Sequence, residues 1–178
     1  RQKVTLWARE EDVVSAMRDK RENTRFLPGH PLPDSMLIEA DFDAAVASAD
    51  LLVVATPLAG LRTTLARLAV IAPKTPLIWV CKGLEAGTAK LPHVIAAETL
   101  GADARYGVLS GPSFAEEVAC GLPTAVTLAA NSHDFAHETA LALHTPRLRI
   151  YANDDLAGVE VGGAVKNVLA IATGISDG

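Results

Sequence analysis

The sequence predicts an α/β fold, a doubly wound and mostly parallel sheet with helices on both faces. Three observations carry that expectation. Short β-rich runs alternate with longer helical runs almost throughout the chain. Leu51–Thr56 and Leu77–Cys81 are continuous apolar stretches, as in parallel strands covered on both faces. Turn residues follow the candidate strands directly, at Thr56-Pro57, Lys82-Gly83 and Ser110-Gly111-Pro112.

In chain order, Val4–Trp7 reads as a strand and Glu10–Arg21 as a polar helix. Met36–Ala40 is a short strand, followed by a helix over Phe42–Ser48. After the strand at Leu51–Thr56, leucines 61, 65 and 68 recur at helical spacing through Leu58–Ile71, and Pro73 and Pro76 close that helix. Strand Leu77–Cys81 precedes a helix at Lys90–Leu100, and strand Tyr106–Leu109 precedes a helix at Ser113–Cys120. Thr124–Ala129, His133–Leu143 and Arg147–Tyr151 follow as strand, helix and strand. From Asp154 the alternation stops and a long, apolar, Gly-rich helix begins. A domain boundary is expected there, giving residues 1–153 as one domain and residues 154–178 as the start of a second, all-helical one.

At 178 residues the chain is long enough for one domain core. Its 49% apolar and 21% charged content is that of a globular protein, and a net charge of −5 without basic runs argues against nucleic acid as a partner. The opening RQKVTLWARE has no apolar h-region or cleavage site, which points to a cytoplasmic protein. Cys81 and Cys120 match no metal spacing and read as reduced, half-buried thiols. The segment Leu156–Ile175 contains a G-x-x-x-G, but Glu160, Lys166 and Asn167 near its middle argue for a buried helix rather than a membrane span.

Ligands of open α/β sheets sit beyond the carboxyl ends of the strands, so the residues just after the strands carry the functional reading. Val4–Trp7 resembles the second strand of a Rossmann-like dinucleotide-binding fold. Arg9 then stands where an acidic residue marks NAD and an arginine meets the 2′-phosphate of NADP, with Glu10 and Glu11 beside it. Lys82 ends a strand and is followed by a glycine, which suits a phosphate or a polarised carbonyl oxygen, or simply a surface turn. In Ser110–Glu117, Ser113 and Glu116 have the spacing of a capping box, and the free N–H groups of that helix start suit an anion.

Lys166 is the most distinctive residue. Gly162 and Gly163 lie at i−4 and i−3 and Ala170 at i+4, so one helix face is stripped of side chains around a single lysine. Two glycines cost this helix about 1 kcal/mol each relative to alanine. Two readings are open: a tight helix crossing with the lysine reaching solvent, or a partly desolvated amine that donates or accepts a proton. Asn167 adds an amide donor and acceptor beside it. His133 and His137 are spaced i,i+4, but Asp134 stands where a zinc-protease helix needs glutamate, so no metal is expected.

With these residues in hand, the sequence resembles NAD(P)-dependent glycerol-3-phosphate dehydrogenase of the bacterial type. Gly163–Gly174 fits the family signature and Ile175–Gly178 continues it. Asn23–Gly29, Lys82–Glu85 and Ser110–Ala115 match further segments in the right order. The resemblance implies reduction of dihydroxyacetone phosphate to sn-glycerol 3-phosphate for glycerophospholipid synthesis, with NADP or NAD as cofactor. Arg9 favours NADPH. It implies Lys166 as proton donor or acceptor to the substrate oxygen and Asn167 as a substrate-orienting residue. Lys82 would contact cofactor and substrate, Gly111 and Ser113 the substrate, and Arg9 and Ala115 the nucleotide. Gly162 and Gly163 would leave room for nicotinamide and substrate.

The family's first strand, its G-x-G-x-x-G turn and most of its helical domain have no counterpart here, so the chain is expected to be incomplete at both ends and inactive alone. Apolar surface on the last helix points to association, as a homodimer. Two alternatives stand beside this reading: a related dehydrogenase of β-hydroxy acids or ketopantoate, and a non-catalytic fragment of the fold.

Overall fold

The computed structural model describes residues 2–177, with the side chains at 167–170 and 177 outside that description. Seven strands and seven helices are described, and they fall into two compact units.

The first unit comprises Arg1–Ala49 and Ser113–Pro123. Strands β1 (Thr5–Trp7) and β2 (Leu37–Glu39) pair in parallel, with α1 (Glu11–Lys20) between them in sequence and α2 (Phe42–Val46) after them. Helix α1 buries Val13, Val14 and Met17, and Asp41 starts α2 by accepting from the Ala44 N–H at 2.8 Å. Trp7 meets the Phe42 ring edge-on at 4.7 Å and donates to the Ala40 carbonyl. The short helix counted between β5 and β6 in chain order, α5 (Ala115–Ala119), belongs to this unit.

The second unit holds a five-stranded sheet in the order β3 (Leu52–Val54), β4 (Leu77–Trp79), β5 (Tyr106–Ser110), β6 (Thr124–Ala130), β7 (Leu148–Asn153). All neighbours are parallel except β5 and β6, which run antiparallel with Ser110 opposite Thr127. The α3 helix (Leu58–Ile71) takes the predicted bounds and buries the predicted leucines 61, 65 and 68. The α6 helix (His133–Leu143) opens on Ser132, whose hydroxyl accepts from the Phe135 N–H. Phe135, Ala136 and Ala140 pack with Ile78, Val126, Leu128 and Ile150 into one apolar cluster. Helix α7 (Leu156–Asp177) starts on Asp155, whose carboxylate accepts from the Gly158 N–H at 2.8 Å.

Several expectations need correction. The run at Leu51–Thr56 is not covered on both faces: β3 ends the five-strand order and Val53 is 54% exposed. Its apolar character suits the inner strand β4 better, where all three residues are buried. The two thiols are not alike, since Cys81 is buried and Cys120 exposed. Burial pushes the Cys81 thiol up to about 11. Among the described residues no helix is long and apolar enough to cross a membrane.

An ion-pair network ties α3 to α4 (Pro92–Thr99) and to the loop before it. Arg62 donates to both oxygens of Glu85, at 2.7 and 2.8 Å, and to Glu98 at 2.9 Å, while Lys90 also pairs with Glu98. Arg62, and then the Thr88 hydroxyl, hold the Glu85 carboxyl at about 2 instead of 4.5. A lowered folded-state value makes this contribution to stability present above pH 4.5 and lost as pH falls towards 2. Arg62→Ala is therefore expected to lower Tm at neutral pH, with the difference from the parent shrinking over that acid window. A difference that stays constant down to pH 2 in thermal unfolding scans would contradict it.

Candidate active site

The second unit contains a cavity of about 290 Å³ lined by the end of β5 (Ser110, Gly111, Pro112), by Lys82 after β4, by Thr127 of β6 and by one face of α7. That helix contributes Val159, Gly162, Gly163 and Lys166, whose spacing of three and four places them on a single face. Of the residues singled out in sequence, Lys82, Gly111, Gly162, Gly163 and Lys166 thus meet around one opening beyond the carboxyl ends of β4 and β5. The volume lies at the lower end of the range for small-molecule sites.

The two glycines divide their work. A Cβ on Gly162 would meet nothing within 4 Å, so its missing side chain opens the cavity. A Cβ on Gly163 would lie 2.8 Å from the Ser110 hydroxyl and 3.4 Å from Cγ of Lys82. The space at Gly163 is therefore already filled by β5 and the Lys82 stem, and is not available to a ligand. Gly163 thus serves a close approach to β5, and Gly162 faces open space. Gly111 has a packing reason of its own: a Cβ there would come within 2.9 Å of the Val126 Cα on the antiparallel neighbour.

Lys82 follows β4 at the turn where Gly83 adopts φ +113°, and its Nζ donates to the Gly111 carbonyl at 3.4 Å. Burial, and then the Lys166 ammonium, lower the Lys82 pKa. A dianionic phosphate or a developing alkoxide would relieve the repulsion between these two cations. Ser110 and Thr127, paired across β5 and β6, place side chains on the same sheet face and add two hydroxyls to the lining. Sequence reasoning missed Thr127, because nothing local marks β6 as the antiparallel neighbour of β5.

Arg9, Ser113 and Ala115 belong to the first unit. Arg9 is highly exposed and pairs with Glu10 at 2.7 Å, which holds the Glu10 carboxyl low. The capping box at Ser113 does not form. Phe114 occupies the cap position with extended backbone and no side-chain bond, and α5 begins at Ala115, so Glu116 sits one residue too early to be the box partner. Glu116 and Glu117 fill the first turn of this five-residue helix, which leaves it unsuited to an anion. Asn167 lies on α7, but its side chain is outside the described residues. His133 pairs with Asp154 at 2.7 Å and its ring stacks on His137; among the described residues no three His, Cys, Asp or Glu side chains group as metal ligands do.

Comparison with known families gives the site its context. Residues 1–136 match the model of the NAD-dependent glycerol-3-phosphate dehydrogenase N-terminus, and residues 155–178 match that of its C-terminus. The chain belongs to this family. Glycerol-3-phosphate dehydrogenase [NAD(P)+] of Dechloromonas aromatica is 65% identical over 98% of the chain and 53% of that protein. The Aromatoleum aromaticum protein of the same name is 59% identical over 100% of the chain and 54% of its own length. Among solved structures, glycerol-3-phosphate dehydrogenase from Coxiella burnetii superposes with a TM-score of 0.89 at 40% identity, over 99% of this chain and 54% of that one. The Rossmann-like α/β fold and the family resemblance both stand. The chain spans about half the length of the curated relatives it matches.

The glycine geometry gives a direct test. Gly162→Ala is expected to stabilise the protein by up to about 1 kcal/mol through helix propensity. Gly163→Ala gains the same propensity but must displace the Ser110 hydroxyl, so it is expected to be less stable than Gly162→Ala, and Ser110→Ala in the same chain to remove the difference. Denaturant unfolding of the three variants checks this. Equal stability of the two glycine variants would contradict the assignment.

Proposed function

We propose that the protein containing this chain reduces dihydroxyacetone phosphate to sn-glycerol 3-phosphate with NADPH or NADH. The observation that carries the proposal is the convergence of Lys82 and Lys166 on a cavity that Gly162 leaves open and that opens beyond the carboxyl ends of β4 and β5. That donor set fits the nicotinamide end of a dinucleotide together with a small anionic substrate: two cations, two hydroxyls and an apolar wall from Val159 and Pro112. The bound nicotinamide supplies the hydride. Lys166 donates a proton to the substrate oxygen as charge develops on it. Lys82 faces the same oxygen or the substrate phosphate and favours the more negative transition state. Gly111 presents the carbonyl that holds the Lys82 ammonium, and Asn167 orients the substrate.

In the same proposal Arg9 and Ala115 contact the nucleotide, and Ser113 contacts the substrate. Arg9 reaches a 2′-phosphate in exchange for Glu10, which favours NADPH. Residues 1–153 serve as the dinucleotide-binding part, and the helix from residue 154 opens the substrate domain. The protein works in the cytoplasm on a small-molecule substrate, as a homodimer.

Following NADPH oxidation with dihydroxyacetone phosphate in the gene product containing these residues tests the reading. Lys166→Ala is expected to lower kcat by about 10²–10⁴-fold. Arg9→Ala is expected to raise KM for NADPH and leave that for NADH unchanged. Turnover that survives Lys166→Ala moves the proton transfer to another group. Preference for a non-phosphorylated keto acid overturns the substrate.

A further inference from the structure

Glu160 is a buried carboxylate for which the proposed chemistry has no use. It lies on α7, one turn before Gly163, and is 4% exposed. A carboxylate removed from water is costly unless every lone pair facing the interior is met. Here two N–H donors and an imidazole nitrogen from two other elements meet it. The indole Nε1 of Trp79, on β4, donates to Oε1 at 3.1 Å, and the backbone N–H of His93, on α4, donates to the same oxygen at 3.0 Å. The His93 ring pairs through Nδ1 with Oε2 at 2.6 Å.

The start of α4 explains part of this arrangement. Leu91 at its cap makes no side-chain bond and Pro92 has no N–H, so the His93 amide is the first donor the helix leaves open. Glu160 closes it from a residue 67 positions away. One carboxylate therefore caps α4, satisfies the buried indole of β4 and fastens α7 to both.

The angular position of Glu160 on α7 connects it to the cavity. At 3.6 residues per turn, successive residues lie about 100° apart around the axis. Val159, Gly162, Gly163 and Lys166 all face the cavity, and Glu160 lies about a quarter turn to their side. A rotation of α7 by about 20° would move a side-chain tip at ~5–6 Å from the axis by about 2 Å. Gly163 against Ser110 limits how closely the helix approaches β5, but a smooth contact of that kind resists rotation poorly. The three bonds to Glu160 are directional and off to one side, where they resist it most.

We propose that Glu160 is a positioning residue whose bonds to Trp79 and His93 set the rotation of α7 and hold Lys166 beside Lys82. This rests on the reading of Lys166 as proton donor, but its structural half does not.

The test uses Glu160→Ala, which removes every bond, and Glu160→Gln, whose amide keeps an acceptor for the indole and backbone donors and offers an N–H to the His93 ring. Amide hydrogen exchange is measured along α7 and along β4 and β5. In Glu160→Ala, exchange over residues 156–166 is expected to rise at least tenfold while the strands stay protected, and Glu160→Gln is expected to remain close to the parent. A uniform rise across strands and helix, or none in α7, overturns the proposal. The kinetic arm follows dihydroxyacetone phosphate reduction. Glu160→Ala is expected to lose about 100-fold in kcat with KM little changed, since a misplacement of about 1 Å is enough for that, and Glu160→Gln is expected to recover most of it. A loss confined to KM, or none, also overturns it. If the parent does not turn over this substrate, the function fails while the exchange result still decides the role of Glu160. Should Glu160→Ala not fold, His93→Ala removes only the ring bond and is read by the same exchange measurement, with a smaller rise confined to α7 expected and an unchanged helix overturning the idea.

Discussion

The close approach of α7 to β5 is the constraint on which the rest of the candidate site depends. A side chain at position 163 would meet the Ser110 hydroxyl and the Lys82 stem, so that either these or the helix would have to give way. Glycine at that point lets the helix lie against the strand end, so that Lys166 and Lys82 line the same opening. The mutual effect of the two ammoniums, which helps lower the pKa of Lys82, follows from that separation. Helix propensity is given up locally for proximity between charges.

The same approach explains why polar groups cluster where the helix meets the sheet. Bringing α7 down also brings Glu160 into the interior, where a carboxylate needs partners. The aromatic Trp79 supplies one on an otherwise apolar strand, and it packs against Tyr106 with ring centroids 5.7 Å apart. Burial raises the Glu160 pKa, opposed by its bonds to His93 and Trp79. The interface is thus greasy around a small, fully engaged polar centre, an arrangement that fixes a unique alignment more sharply than apolar contact alone.

Periodicity made the fold legible. Leucines at 61, 65 and 68 define α3, and the alternation of strand and helix gives the parallel sheet. The site was legible where a local pattern carries it, as with two glycines one turn before a lysine. Long-range pairing was not. The reversal of β6, which sets Thr127 opposite Ser110, leaves no mark in either strand. Nor does the bond from Glu160 to His93, which joins residues far apart in the chain. At Ser113 the local signal was present and misleading: the backbone stays extended through Phe114 after the Gly-Pro turn, and the helix starts later than its capping residues suggest. The Leu51–Thr56 run shows the limit of composition, since an edge strand and a central one share the same apolar residues.

That edge strand has a bearing on how the chain behaves in solution. Among the described residues β3 has a strand neighbour on one side only, and it carries no lysine, proline or bulge on its outer side. An unpaired edge of this kind pairs readily with a further extended segment. Of the three residues of β3 it is Val53, 54% exposed, whose apolar surface such a segment would cover.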